Sequence, residues 1–202
     1  MPVPFPPSAL WDFSLRLYSR PNVPAACLRL QARHGIDVNL LFCCLWRGME
    51  GQLLTSRQIK SMIARVRGLH EQVVRPLRTA RTALKTMLDG DPAIAAAMAA
   101  VRGAVKAAEL DAEHIEQLVL SAAAPERQKS GVQSSATARA NAESYCKALG
   151  LRLSPMDRAD LDLIAAALGD GKSEPPHAVG LTPRKARQRD RTRPLASGRR
   201  GA

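Results

Sequence analysis

The chain has 202 residues, a formal net charge of +12, 46% hydrophobic and only 3% aromatic side chains, which suits one domain with an appendage and a core of aliphatic side chains and alanine. Its uncharged runs, such as Val38–Trp46 and Ala93–Val101, last nine residues, well short of the roughly 20 needed to span a bilayer. Met1–Leu10 has no basic residue and no long apolar stretch, which speaks against a signal peptide and for a cytoplasmic, bacterial-type protein.

In chain order, Ser8 can cap a first helix from Ala9 to about Ser19, stopped by Pro21. Asn22 and Pro24 restart the chain, Asn as N-cap and proline in the first turn, where its missing N–H does no harm. This second helix runs to about His34 and ends at Gly35. Asp37 caps a third, from Val38 to about Glu50, closed by Gly48 and Gly51. Val38, Leu40, Leu41, Phe42, Leu45 and Trp46 make it apolar nearly all round, so it should sit at the centre of the domain with Trp46 buried.

Thr55-Ser-Arg-Gln58 fits a capping box and opens the longest pattern in the chain. Ile59, Met62, Ile63, Val66, Leu69, Val73, Leu77, Leu84 and Met87 recur at helical spacing, and Pro76 should kink or divide that helix. Asp91-Pro92 begins an alanine-rich helical stretch that resumes after Gly103 as Ala104–Ala123. There Val105, Ala108, Ile115, Leu118 and Val119 form the inner face, with Asp111, Glu113 and Glu116 outside. Pro125–Ala136 reads as a loop, Thr137–Leu149 as a short helix ended by Gly150, and Ser154-Pro155-x-Asp157 as the cap of a last helix, Pro155–Leu168, ended by Gly169. No internal repeat has a fixed period, which argues against a solenoid.

The fold class is therefore all-α: a single irregular bundle of about six to eight helices over residues 8–170, preceded by a flexible segment 1–7. Residues 171–202 hold nine Lys/Arg and two Asp/Glu with Pro175, Pro176, Pro183 and Pro194, a composition that predicts a disordered basic tail. Arginine supplies 23 of the 30 basic residues, a bias that a GC-rich genome also produces without selection for nucleic-acid binding.

The opening Leu10-Trp-Asp-Phe-Ser-Leu-x-Leu-Tyr18, then Ala26-Cys-Leu-x-Leu-Gln31, Asp37-Val-Asn-Leu-Leu-Phe42 and Leu45-Trp46, form a distinctive series. Val74-Arg-Pro-Leu-Arg78 and Val105-Lys-x-x-Glu-Leu-x-Ala-Glu113 continue it, as do Asn141, Tyr145 and Ala148-Leu-Gly150. Together they resemble a family of small, uncharacterised, all-helical proteobacterial proteins, a domain of unknown function. The likeness spans roughly residues 8–150 and implies a helical cytoplasmic protein; it brings no activity, catalytic residue or cofactor.

The residues themselves assign no catalytic, cofactor-binding or metal-ligating role. His34 with Asp37 and His70 with Glu71 are the nearest approach to acid–base pairs. A histidine at a helix C-terminus and an N-capping aspartate account for the first, and adjacent helix positions diverge in the second. Cys27, Cys43, Cys44 and Cys146 contain no Cys-x-x-Cys and no zinc spacing, which suits buried free thiols in a reducing compartment. Trp11 and Trp46 read as core anchors. Arg75, Arg78, Arg81 and Lys85 could meet phosphates, an acidic partner, or the chain's own Glu109–Glu116 segment. Arg184, Lys185, Arg187, Arg189, Arg191 and Arg193 could add phosphate contacts from the tail.

The leading functional reading is a non-enzymatic helical interaction or adaptor protein with an unknown protein partner. The alternative is a nucleic-acid-associated protein using the tail and the Arg78–Lys85 face. An enzyme of unrecognised type comes third: a pocket with convergent polar side chains would favour it, and an exposed apolar groove would favour the first.

Overall fold

In a computed structural model the described residues are 5–87, 91–122 and 135–169, and all their regular structure is helical. The helices are α1 (Ala9–Tyr18), α2 (Val23–His34), α3 (Val38–Met49), α4 (Ser56–Leu69), α5 (Arg75–Thr86), α6 (Pro92–Ala122), α7 (Ser135–Ala148) and α8 (Pro155–Ala166). A π-helical turn, His70–Val74, joins α4 to α5. The predicted tail and the six tail residues named above lie outside the described residues, as does most of the Pro125–Ala136 loop.

Local chemistry explains most boundaries. Ser8 accepts the Trp11 amide at 3.2 Å, and Asp37 accepts the amides of Asn39 and Leu40. Thr55 with Gln58, and Ser154 with Asp157, form reciprocal capping boxes. Gly35, at φ +63°, ends α2 in the left-handed region that glycine enters at no steric cost. Asn22 departs from its predicted role: it is itself left-handed at φ 64° and its side chain caps nothing. The reversal between α1 and α2 is tight enough to need that backbone conformation.

Helix α3 is the centre. Leu40, Leu41, Phe42, Cys43, Cys44 and Leu45 are all buried, and α3 packs on α7, α6 and α1. Trp46, expected to be buried, is half-buried, because it rotates to the rim of the core where the Arg47 guanidinium lies 4.3 Å from its ring centre. Gly48, expected to help close α3, lies inside it and faces α7. Gly103 likewise fails to divide α6, which runs unbroken for 31 residues. A single helical glycine costs only about 1 kcal/mol against alanine, and nothing else interrupts the run.

Two further departures bear on function. Pro76 has no N–H to bond the carbonyl four residues back, and the chain answers with the π turn, in which the Arg75 amide reaches the His70 carbonyl. The extra residue rotates the apolar stripe: Val74 is fully buried while Val73 is 38% exposed. Along α6 the predicted faces are also exchanged in part. Glu109, Ala112, Glu116, Gln117 and Leu120 are buried, and Ile115 is exposed.

Helix α8 is held to α2 by charge. Arg29 pairs with Asp160, Arg33 reaches Asp157 at 2.8 Å and Asp160 at 2.6 Å, and His34 Nε2 lies 3.0 Å from Asp157. Burial alone would raise both carboxyl pKa values. Hydrogen bonds outweigh it: Ser154, His34 and Arg33 hold Asp157 well below its ordinary value, and Arg29 and Arg33 lower Asp160. Because folded-state values are depressed, their stabilising contribution is present above the unfolded value of about 3.9 and is lost as pH falls below it. The stability difference between wild type and Asp160→Asn should therefore shrink between pH 5 and pH 3, by urea unfolding. A pH-independent difference would remove the ion pairs as the cause.

Candidate functional site

The buried side of α6 carries groups that cannot stay unpaired away from water. Glu116, with no exposure at all, accepts from the Asn39 side-chain amide at 2.6 Å, and its other oxygen lies 3.1 Å from His70 Nδ1. Gln117 donates to Asn39 Oδ1 at 2.8 Å and accepts from the Ser14 hydroxyl at 3.0 Å. A hydrogen-bonded chain thus crosses the core from α1 through α6 and α3 to the π turn. Asp37 joins it from the start of α3: one carboxylate oxygen caps the helix, and the other, Oδ2, lies 3.3 Å from the same His70 Nδ1. Tyr145 of α7 accepts the Asp37 amide at 3.0 Å and fixes that corner from behind.

Burial, which strips the carboxylate of its hydration, and the neighbouring Glu116 carboxylate outweigh the lowering pull of His70 and push the Asp37 carboxyl up to about 7. Burial works against a charged His70, but the Glu116 hydrogen bond and the two carboxylates outweigh it and raise its pKa. The thiols are the opposite of reactive: burial pushes Cys27 and Cys43 up to about 12 and Cys146 to about 11.

Asn39, Gln117 and Ser14 also line a cavity of about 460 Å³ bounded by α1, α2, α3, α5 and α6. Of the chain's two Trp, two Tyr and three Phe, one of each lines it: Trp11, Tyr18 and Phe42. Leu15, Leu28, Val38 and Leu110 complete the apolar wall. Trp11 stacks on His114, with ring centres 4.2 Å apart and planes 5° from parallel; the predicted core anchor is a partly exposed cavity wall.

The opposite wall is charged. Arg78 donates to Glu109 at 3.0 Å and to Glu113 at 2.5 Å, and Arg81 pairs with both oxygens of Glu109. These bonds outweigh burial and lower the Glu109 pKa. Helix α5 has no buried residue of its own, so this array carries much of its attachment to α6. Arg75 and Lys85 point to solvent and have no ion-pair partner among the described residues. Lys106 lines the cavity and is likewise without one.

Three long-range meetings were not apparent in sequence. His34 faces Asp157, not Asp37, and His70 faces Glu116 and Asp37, not Glu71. One signal was present: His70 stands four residues after Val66 and four before Val74, in line with the buried stripe Ile59, Met62, Val66.

The described residues thus define an all-helical domain with an aliphatic core, a polar chain through its centre and a cavity at one end of that chain. The family model described as "Protein of unknown function (DUF2390)" matches residues 9–120, more than half of the chain, and the protein belongs to that family. The match contains Asp37, His70, Glu116 and every cavity-lining residue, and it ends before α7 and α8. No curated protein and no solved structure matches the chain.

Proposed function

We propose that the protein binds a small amphipathic organic anion in the cavity between α1, α2, α3, α5 and α6. The observation that carries this reading is the lining itself: an aromatic and aliphatic wall faces a polar one, within the roughly 300–1,000 Å³ usual for small-molecule sites. Arg78 and Arg81 are balanced by Glu109 and Glu113, so Lys106 leaves the wall with a net positive charge. Asn39, Gln117 and Ser14 would read the buried end of the ligand, and Leu15, Tyr18 and Leu28, all exposed at the mouth, would cover its apolar part.

The probe is 8-anilinonaphthalene-1-sulfonate, an aromatic anion of suitable character. In the Trp46→Phe background its binding should quench Trp11 and enhance dye emission saturably. Lys106→Glu should weaken it roughly three- to tenfold, since exposed charge pairs contribute up to about 1 kcal/mol each. Equal affinity in the Lys106 variant, or no quenching of Trp11, would sink the proposal.

The adaptor reading draws on the same exposed apolar rim, and a partner seated there would compete with the dye. The nucleic-acid reading retains the tail charges together with Arg75 and Lys85, since Arg78 and Arg81 are already engaged within the chain. The four free, buried thiols support a reducing, cytoplasmic setting; among the described residues no helix is long and apolar enough to cross a membrane.

A further inference from the structure

We infer that Asp37, His70 and Glu116 form a binding site for one divalent first-row transition-metal ion. Their three candidate ligand atoms, Asp37 Oδ2, His70 Nδ1 and Glu116 Oε1, lie within 4.8 Å of one another at the meeting of α3, the π turn and α6. The two separations from His70 Nδ1, 3.3 and 3.1 Å, are close to the spacing of neighbouring ligands around a tetrahedral zinc ion, about 3.3 Å for bonds of about 2.0–2.1 Å.

Hydrogen-bond stoichiometry is the second argument. An imidazole nitrogen offers one proton at most, yet two buried carboxylate oxygens converge on this one. Asp37 Oδ2 is left without a hydrogen-bond partner although Asp37 is 95% buried. A buried acceptor in that state calls for an explanation, an unseen ion being one of the standard ones. A dication would satisfy all three ligand atoms at once and neutralise both carboxylates against a neutral imidazole.

The surroundings are those a metal site needs. In each carboxylate the oxygen not facing His70 is tied down: Asp37 Oδ1 by the amides of Asn39 and Leu40, Glu116 Oε2 by the Asn39 side chain. Such outer hydrogen bonds orient ligands and tune their basicity. The π turn begins at His70 itself, and single π turns within α-helices concentrate at functional positions. Mixed imidazole and carboxylate ligation selects zinc, iron or manganese over calcium and magnesium. Three protein ligands also leave a coordination position open, as in catalytic zinc sites. The inference does not depend on the cavity proposal, although Asn39 belongs to both.

The test uses the full chain after chelator treatment, titrated with Zn²⁺ by calorimetry and with Co²⁺ by visible absorption. One ion per chain should bind, with a Co²⁺ spectrum of low coordination number. At 100 times Kd, Zn²⁺ should raise Tm by roughly 5–10 °C. Asp37→Asn, which keeps an N-capping oxygen, and Glu116→Gln, which keeps the shape, should each weaken binding at least ~100-fold, more than the loss of an outer-shell partner. Circular dichroism checks that each variant is folded. Should both variants fail to fold, the wild-type Co²⁺ titration decides. No saturable Co²⁺ band in the folded wild-type protein, or equal Zn²⁺ affinity in a folded variant, overturns the site.

Discussion

Replacing Asn141 with alanine is expected to lower stability by about 3–5 kcal/mol, although the side chain touches neither the cavity nor the Asp37–His70–Glu116 cluster. Asn141 is fully buried on α7. Its carbonyl accepts the Leu54 amide at 2.8 Å, and its amide donates to the carbonyls of Gln52 at 2.8 Å and Cys44 at 3.1 Å. One side chain thus satisfies the Gln52 carbonyl and the Leu54 amide in the stretch between α3 and α4, which has no regular structure to pair them, and adds a bond to the Cys44 carbonyl inside α3. Each buried group stranded by truncation costs about 1–3 kcal/mol, and carbonyls tolerate it better than amides. For a body of this size the loss corresponds to a fall in Tm of roughly 10–15 °C. Asn141→Asp should be no better, because a carboxylate would face two carbonyl oxygens. Urea unfolding followed by circular dichroism measures both; an alanine variant within ~1 kcal/mol of wild type would mean that water replaces the lost bonds.

Helix starts and stops are local chemistry, and Ser8, Asp37, the Thr55–Gln58 and Ser154–Asp157 boxes and Gly35 could be read directly, because each partner lies within a few residues. The site is long-range. Asp37, His70 and Glu116 come from three separate elements, and Glu116 lies 46 positions from His70. The helical period also places Glu116 outward, since a glutamate is almost never fully buried unless paired, and its partners are not visible from α6 alone. The π turn added a second obstacle: one extra residue moves Val74 inward and Val73 outward, so a strict helical period fails at the segment that delivers His70. Hydrophobicity places Trp46 inside, whereas its flat ring sits at the rim beside Arg47. In so aromatic-poor a chain the position of each ring is informative, and Trp11, Tyr18 and Phe42 gather around one cavity.

The packing of α3 on α7 supplies the second large expectation. Gly48 lies within α3, and a Cβ there would fall 2.2 Å from Ala138 Cα, 2.3 Å from Ala138 N and 2.7 Å from the Thr137 carbonyl carbon. All three are backbone atoms, so no rotamer change can relieve the clash and α7 itself would have to withdraw. Overpacked cores commonly lose 1–3 kcal/mol. Here the obstruction is a helix backbone, and Gly48→Ala should cost about 3 kcal/mol or more. Withdrawal of α7 would also lengthen the Asn141 bonds to Cys44 and Gln52, and would carry the Tyr145 hydroxyl away from the Asp37 amide it now meets at 3.0 Å. The damage should therefore reach the Asp37 corner and weaken any Zn²⁺ bound there. Gly68 is the matched control: it is an exposed helical glycine in α4 with nothing within 4 Å of an added Cβ. There the change to alanine should raise stability by roughly 0.5–1 kcal/mol, through helix propensity and a less free unfolded chain. The two substitutions add the same methyl group to a helix and are expected to move Tm in opposite directions. Similar Tm values for Gly48→Ala and Gly68→Ala would show that α3 and α7 do not approach as closely as this packing requires.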